Sequence, residues 1–199
     1  MSDDRTIDVY DDNAAEYAER FAGSMDDGEA ADFQTFTARL PAQGTVLDLG
    51  CGPGQWAARF RDAGYRVAAL DASPEMAEAA RTAYGIEVIT AGFDALDAEG
   101  VFDGIWAYFS LLHVPRAELP VHLAAVHKAL TAGGTLCLSM KLGESEGRDE
   151  LGRFYAYHSE EELRGHLQTA GFTVLGSRRG KGKGLAGTDQ EFVVLTAHA

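Results

Sequence analysis

Three glycines at alternate positions, Gly50, Gly52 and Gly54, follow the short apolar run Val46-Leu47-Asp48-Leu49. They precede Gln55-Trp56-Ala57-Ala58-Arg59-Phe60-Arg61-Asp62-Ala63, a helical stretch that Gly64 closes. The apolar run has the length of a buried strand and carries one acid in its middle. Glycine accepts positive φ and lets backbone approach a ligand closely. A helix start presents unpaired N–H groups to a carboxylate or phosphate. Strand, glycine loop and helix start together make a site for a polar ligand, with a plain tight turn as the alternative.

The residues around this unit alternate between strand and helix. Tyr65-Arg66-Val67-Ala68-Ala69-Leu70-Asp71 reads as a second strand ending in an acid. Asp71 follows the glycines by about 20 residues, the spacing that in a βαβ unit brings a carboxylate to the neighbouring strand tip, within reach of ribose hydroxyls. A mere turn residue is the other reading of Asp71. Ser73-Pro74 starts a helix, with serine at the cap and proline in the first turn. Gly85–Thr90 and Phe102–Phe109 are the third and fourth strands. Glu118–Leu130 is a helix closed by Ala132-Gly133-Gly134, and Thr135–Met140 is the fifth strand. Ser159–Ala170 opens with a capping box that uses Glu162. Phe172–Gly176 and Glu191–Thr196 end the series. The connection between them, Arg178–Gln190, is too short for a helical crossover, so the last strand should run antiparallel. The expected fold is α/β, a mostly parallel sheet covered by helices on both faces.

Before the glycine unit, Asp8–Phe21 reads as a helix whose main part Asp11, Asp12 or Asn13 could cap, with Tyr10, Tyr17 and Phe21 at roughly helical spacing. It either covers the domain or closes as a lid over a ligand. After the loop Gly23–Gly28, Glu29–Arg39 reads as a second helix, ended by Pro41 and Gly44. Neither repeats nor a linker are visible in the sequence. One domain over residues 1–199 is expected, with 1–44 a helical cap and 45–199 the α/β core.

At 199 residues and 46% hydrophobic content the chain can bury a substantial core. Its formal net charge of −14 argues against non-specific binding to nucleic acid or an anionic membrane. Cys51 and Cys137 lack metal-ligand spacing, so no metal site is expected and a reduced, cytoplasmic setting is. Met1-Ser2-Asp3-Asp4 is acidic and does not resemble a secretory leader. Apolar runs stay well short of the ~20 residues that span a bilayer. A monomer or homodimer is expected.

Two ligand classes suit a glycine-rich βα loop followed by an acid. The dinucleotide pattern G-x-G-x-x-G would need a third glycine where Gln55 stands, which disfavours a nicotinamide-dependent oxidoreductase. The other class is reached through the combination Val46-Leu-Asp-Leu-Gly-Cys-Gly-Pro-Gly54, Leu70-Asp-Ala-Ser-Pro-Glu-Met76, Phe102-Asp-Gly-Ile-Trp106, Ser110-Leu-Leu-His-Val-Pro115 and Leu130-Thr-Ala-Gly-Gly-Thr135. In these stretches, and over roughly Tyr10 to Thr196, the sequence resembles the class I S-adenosylmethionine-dependent methyltransferases. The resemblance implies a Rossmann-like seven-stranded sheet of order 3-2-1-4-5-7-6 with the seventh strand antiparallel. It implies S-adenosylmethionine as cofactor and S-adenosylhomocysteine as its product. Carried onto this chain, it assigns Asp48, Gly50 and Gly52 to the methionine end of the cofactor, Gly54 to the close loop and Asp71 to the ribose. Ala72 and Met76 would pack on adenine. Backbone at Ala107 and Tyr108 would approach the sulfonium, and Tyr10 and Tyr17 would cover the cofactor. Similar proteins place an adenine-reading acid where this chain has Gly92. Asp94, two residues on, or backbone beside Phe93 is left for that task.

Methyl transfer from a sulfonium needs alignment and exclusion of water more than a fixed catalytic triad. A base is needed only where the acceptor must lose a proton. His113, after the fourth strand, is the candidate base; an ordinary structural histidine at a helix start is the alternative. Tyr108 and Phe109 line an acceptor pocket or fill the core. Lys141, Arg153, Tyr155, Tyr157 and His158 flank a polar segment, Gly143–Asp149, expected to be a flexible flap. Arg178-Arg179-Gly180-Lys181-Gly182-Lys183-Gly184 carries four positive charges. It either helps hold an anionic acceptor or is a solvated hairpin. Acceptor-binding candidates are therefore Phe109, Lys141, Arg153, Tyr155, Arg178 and Arg179. The expected acceptor is a small molecule. RNA or protein methylation, and a non-catalytic cofactor-binding partner protein, are the alternatives.

Overall fold

A computed structural model describes residues 3–21, 23, 25–183, 187 and 189–199. Its larger sheet is built from β1 (Thr45–Leu49), β2 (Arg66–Asp71), β3 (Ile89–Thr90), β4 (Phe102–Tyr108), β5 (Leu130–Lys141), β8 (Thr173–Lys183) and β9 (Asp189–His198). The spatial order is β3-β2-β1-β4-β5-β9-β8. The pairs from β3 to β5 are parallel, and β9 is antiparallel to both β5 and β8. This is the expected arrangement. Only the numbering shifts, because a small hairpin of β6 (Glu146–Arg148) and β7 (Phe154–Ala156) intervenes after β5. The order reverses between β1 and β4, and in an open parallel sheet the crevice for a ligand lies at that switch, beyond the strands' carboxyl ends.

Period-two alternation divides the core. Leu47, Leu49, Leu70 and Ile105 point to one face, where α6 (Leu119–Ala129) and α7 (Glu160–Thr169) bury Leu123, Val126, Leu163 and Leu167. Val46 and Trp106 point to the other, against Phe36 of α3 (Asp27–Thr37) and Trp56 and Phe60 of α4 (Gln55–Asp62). Alanines let α4 sit close to α5 (Pro74–Tyr84): Ala57, Ala58, Ala69 and Ala80 form one small-residue cluster. Among the described residues no helix is long and apolar enough to cross a membrane.

Five segments depart from expectation. The first helix is two, α1 (Asp4–Asp12) and α2 (Ala14–Phe21). Asn13 breaks it, its side-chain amide donating to the Val9 carbonyl at 2.7 Å. The side chain of Phe21 lies outside the described residues. The third strand is only Ile89–Thr90, because Gly85 caps α5 at φ 64° and Ile86 N–H bonds back to the Ala80 carbonyl. Residues 131–134 join β5 as a bulge: Leu130 pairs with Phe102, but Thr135 with Gly104. The expected flap, Gly143–Asp149, instead contributes β6, and the basic run from Arg178 is not a loop but the outer half of β8. Gly184 lies outside the described residues.

Helix α1 closes over the sheet's carboxyl edge. Phe154 N–H donates to Thr6 Oγ1 at 2.8 Å, and the Ser73 hydroxyl donates to Asp11 Oδ1 at 2.5 Å. Helix α1 is thereby held at one end by the β6–β7 hairpin and at the other by the start of α5.

Gly54 tests this packing. Its φ is +80°, and a Cβ there would lie 2.7 Å from Ala80 Cβ. Gly54→Ala should lower the unfolding free energy by ~1–3 kcal/mol, read from urea melts. Adding Ala80→Gly should relieve the overlap but not the φ strain, so the two changes combine less than additively.

Candidate active site

The carboxyl ends of β1, β2 and β4 surround a cleft of about 190 Å³. Its floor is the glycine loop. Gly50 and Cys51 N–H groups donate to the Leu70 carbonyl at 2.7 and 3.0 Å. Gly50 has φ +75°, and a Cβ there would meet Ser110 Cβ at 2.4 Å, so this glycine is demanded by close packing. Gly52 differs. A Cβ there would find only Tyr17 Cε1, at 3.9 Å, and would project into the open floor. Asp71 ties the floor to the β2 tip: Oδ2 accepts from Gly52 N–H at 2.7 Å and Oδ1 from Ser73 N–H at 2.9 Å. Burial raises its pKa, and those N–H groups oppose the rise. Each oxygen keeps a lone pair for a further donor.

Ala72, Met76, Phe93 and Asp94 line the same cleft. Phe93 and Asp94 belong to a 3₁₀ turn, Phe93–Ala95, for which Gly92 supplies the preceding backbone. Tyr10, Tyr17, Tyr108 and Phe109 line it from above and from the β4 end. Phe109 has φ +57°, a left-handed conformation rare for an aromatic residue, and its N–H is held by Ser139 Oγ at 2.9 Å.

Asp48, Gly54 and Ala107 do not line the cleft. Alternation turns Asp48 to the α4 face, where it is 1% exposed and faces the Ala57 N–H. Burial pushes its pKa up to about 8, and one carboxylate oxygen has no partner. Gly54 packs on α5 and Ala107 is core.

His113 is half-buried between two groups. Its Nδ1 lies 2.6 Å from the Phe154 carbonyl and its Nε2 2.8 Å from the Tyr10 hydroxyl. A carbonyl only accepts, so Nδ1 carries the proton and Nε2 accepts from Tyr10. Burial lowers the His113 pKa to about 4, which keeps the ring neutral near pH 7. Its free lone pair thus meets Tyr10 rather than open cavity.

A second cavity of about 280 Å³ shares Tyr10, Tyr17, Tyr108 and Phe109 with the first. Lys141, Arg153, Tyr155 and Arg178 line it. Arg153, 2% exposed, binds Asp149 Oδ2 through Nε and Nη2 at 3.0 and 2.7 Å. Arg178 Nε binds Asp32 Oδ1 at 2.8 Å, and Tyr108 donates to Asp32 Oδ2 at 2.9 Å. Arg179 is turned away. Adjacent strand residues face opposite sides, and it pairs with Glu160 at 2.7 Å while 65% exposed.

Sequence reasoning assigned no role to Ser110, Gln55, Trp56 or His122, which also line the first cleft, nor to Asp32. Ser110 Oγ and Gln55 Oε1 are buried there without hydrogen-bond partners. Ser110 lay within a motif already singled out; Asp32 offered no signal, because its partner Arg178 is 146 residues away.

The comparisons agree with this geometry. The sequence model of a family described as "Methyltransferase domain" matches residues 46–134. An "Uncharacterized methyltransferase" of Staphylococcus carnosus is 28% identical over 67% of this chain and 65% of its own length. A malonyl-[acyl-carrier protein] O-methyltransferase of Enterobacter lignolyticus is 34% identical over 54% of this chain and 44% of its own. These matches span less than two thirds of either curated relative. Among solved structures, the Burkholderia thailandensis 1,6-didemethyltoxoflavin-N1-methyltransferase, with bound 1,6-didemethyltoxoflavin and S-adenosylhomocysteine, superposes with a TM-score of 0.74. It is 26% identical and covers 96% of this chain and 87% of that one.

Asp48 yields a pH prediction. Its folded pKa, about 8, lies above the ordinary 3.8. Between these values the unfolded chain has released a proton that the folded protein retains, so this residue makes stability fall as pH rises. Urea melts across that window should show Asp48→Asn gaining stability relative to the unsubstituted protein as pH increases. A constant difference would contradict the assignment.

Proposed function

We propose that this chain, which belongs to the class I S-adenosylmethionine-dependent methyltransferases, transfers a methyl group from that donor to a small molecule. The observation that carries the reading is the pair of adjoining cavities. A cleft floored by Gly50 and Gly52 meets an aromatic chamber along a shared wall that includes Tyr10, Tyr17, Tyr108 and Phe109. The residues of the cleft suit the donor. The open floor at Gly52 and the unpartnered Ser110 Oγ can serve its amino-acid end. Asp71 can accept from ribose hydroxyls, and Ala72, Met76 and Phe93 offer apolar contact to the adenine, with Asp94 beside them as an acceptor.

When bound, S-adenosylmethionine supplies a methyl carbon on a sulfonium, whose C–S bond breaks with its electron pair going to sulfur as the bond to the acceptor forms. The protein's share is orientation and exclusion of water. Tyr10 and Tyr17 cover the junction of the cavities. His113 acts as a positioning residue: it fixes the Tyr10 hydroxyl, with Arg153 Nη1 3.4 Å from the same oxygen. Asp48 supports the loop from beneath by facing the start of α4, and Gly54 and Ala107 act through packing. Asp32 holds Arg178 and Tyr108 in the chamber wall. The chamber volume is close to the lower range of small-ligand pockets, which supports a metabolite-sized acceptor in a single domain over RNA or protein.

Incubation with labelled S-adenosylmethionine and a fractionated metabolite pool tests the reading. A labelled small product supports it. Label in RNA or protein, or tight donor binding with no transfer, would overturn it. Asp71→Ala should weaken donor binding by ~1–3 kcal/mol, roughly 5- to 150-fold by calorimetry, because the ribose loses a carboxylate acceptor.

A further inference from the structure

The charged groups of the second cavity are not equivalent. Arg153 is matched by Asp149, Arg178 by Asp32, and Lys181 by Glu191 at 2.9 Å. The two acids on the lining, Asp26 and Glu29, are engaged with each other's backbone in the capping box that starts α3. Lys141 stands apart. Among the described residues it has no carboxylate within salt-bridge distance. Its Nζ lies 3.8 Å from the centroid of the Tyr155 ring, a contact that attracts the ammonium but supplies no counter-charge and no hydrogen-bond acceptor oxygen.

Position adds to this. Lys141 is the last residue of β5, and β5 neighbours β4, whose end carries Tyr108 and Phe109 at the junction of the two cavities. The surrounding walls are aromatic: Tyr108, Phe109, Tyr155 and Phe192. Their flat faces suit a planar molecule.

We propose that the second cavity takes a planar acceptor bearing an ionised oxygen of the phenolate or enolate class, and that Lys141 is the residue that pairs with that oxygen. This rests on the methyltransferase reading and names its substrate class. Burial, and next the Arg153 charge, lower the Lys141 pKa to about 8, with the Asp149 carboxylate, already bound to Arg153, opposing the fall. An oxyanion in the chamber supplies a counter-charge and presents the nucleophilic lone pair at the wall shared with the donor cleft.

The probe is 4-nitrophenol, whose phenolate and phenol differ in absorption. It is titrated into the full chain saturated with S-adenosylhomocysteine, a state in which no methyl transfer occurs. The unsubstituted protein should bind the phenolate form and shift the probe's ionisation towards it. Lys141→Met should lose at least tenfold in probe affinity together with the spectral shift, whereas Lys141→Arg, which keeps the charge, should retain most of both. Calorimetry with S-adenosylhomocysteine alone is run on each variant. Unchanged affinity there shows that the variants fold and that the donor cleft is intact. Equal phenolate binding by Lys141→Met, or no phenolate binding by a protein that binds S-adenosylhomocysteine, would overturn the proposal and leave the methyltransferase reading standing. Failure to bind S-adenosylhomocysteine at all would overturn that reading itself.

Discussion

The Asp71 carboxylate is the joint on which the site depends. One oxygen takes the Gly52 N–H and the other the Ser73 N–H. A single buried side chain therefore fixes the loop after β1 and the start of α5. Left unpaired, those two donors would be buried polar groups with no partner, which a fold tolerates poorly. With them bound, the carboxylate remains able to accept from a ligand. The atoms that hold the loop also line the cleft, so the loop cannot drift without changing the shape of the cleft.

A second polar joint closes the neighbouring chamber. Asp32, 7% exposed on α3, receives both Arg178 of β8 and the Tyr108 hydroxyl of β4. Removing any one of the three would leave a poorly solvated charge or hydroxyl behind. Around it, Trp106 stacks on Tyr108 at 4.8 Å, and Trp56 and Phe36 pack against Trp106 at 4.9 and 5.2 Å. The aromatic core that docks α3 and α4 therefore continues directly into the wall of the cavity.

Much of the fold was legible because it follows from short-range chemistry. Ser73 and Ser159 cap their helices as their spacing suggested, and Ser159 and Glu162 form the reciprocal capping box. The short last connection implied an antiparallel final strand, and the family resemblance implied the strand order that the sheet shows. The misreadings arose where local signals competed. Asn13, one of the cap candidates, does precede α2, yet its amide also takes the Val9 carbonyl and ends a separate helix before it. The glycine-rich basic run after Arg178 looks like a loop, yet pairing with β9 carries it as strand as far as Lys183 opposite Asp189. Pairing between strands supplies hydrogen bonds that residue propensity does not register.

By spacing alone the sequence pointed to the glycines and Asp71, and the family resemblance added Ala72, Met76 and Tyr108; all of these lie in contiguous motifs, and Gly50, Gly52, Asp71, Ala72, Met76 and Tyr108 line the cleft. Tertiary structure decided which of the charged residues remain available. Arg153, Arg178, Arg179 and Lys141 read as equivalent cations in the sequence. Three are matched by Asp149, Asp32 and Glu160, and the fourth, Lys141, lies over a tyrosine ring with no carboxylate within salt-bridge distance among the described residues. The physical reason is that a charge is neutralised by what lies a few ångströms away in space, and the partner of Arg178 lies 146 residues away along the chain.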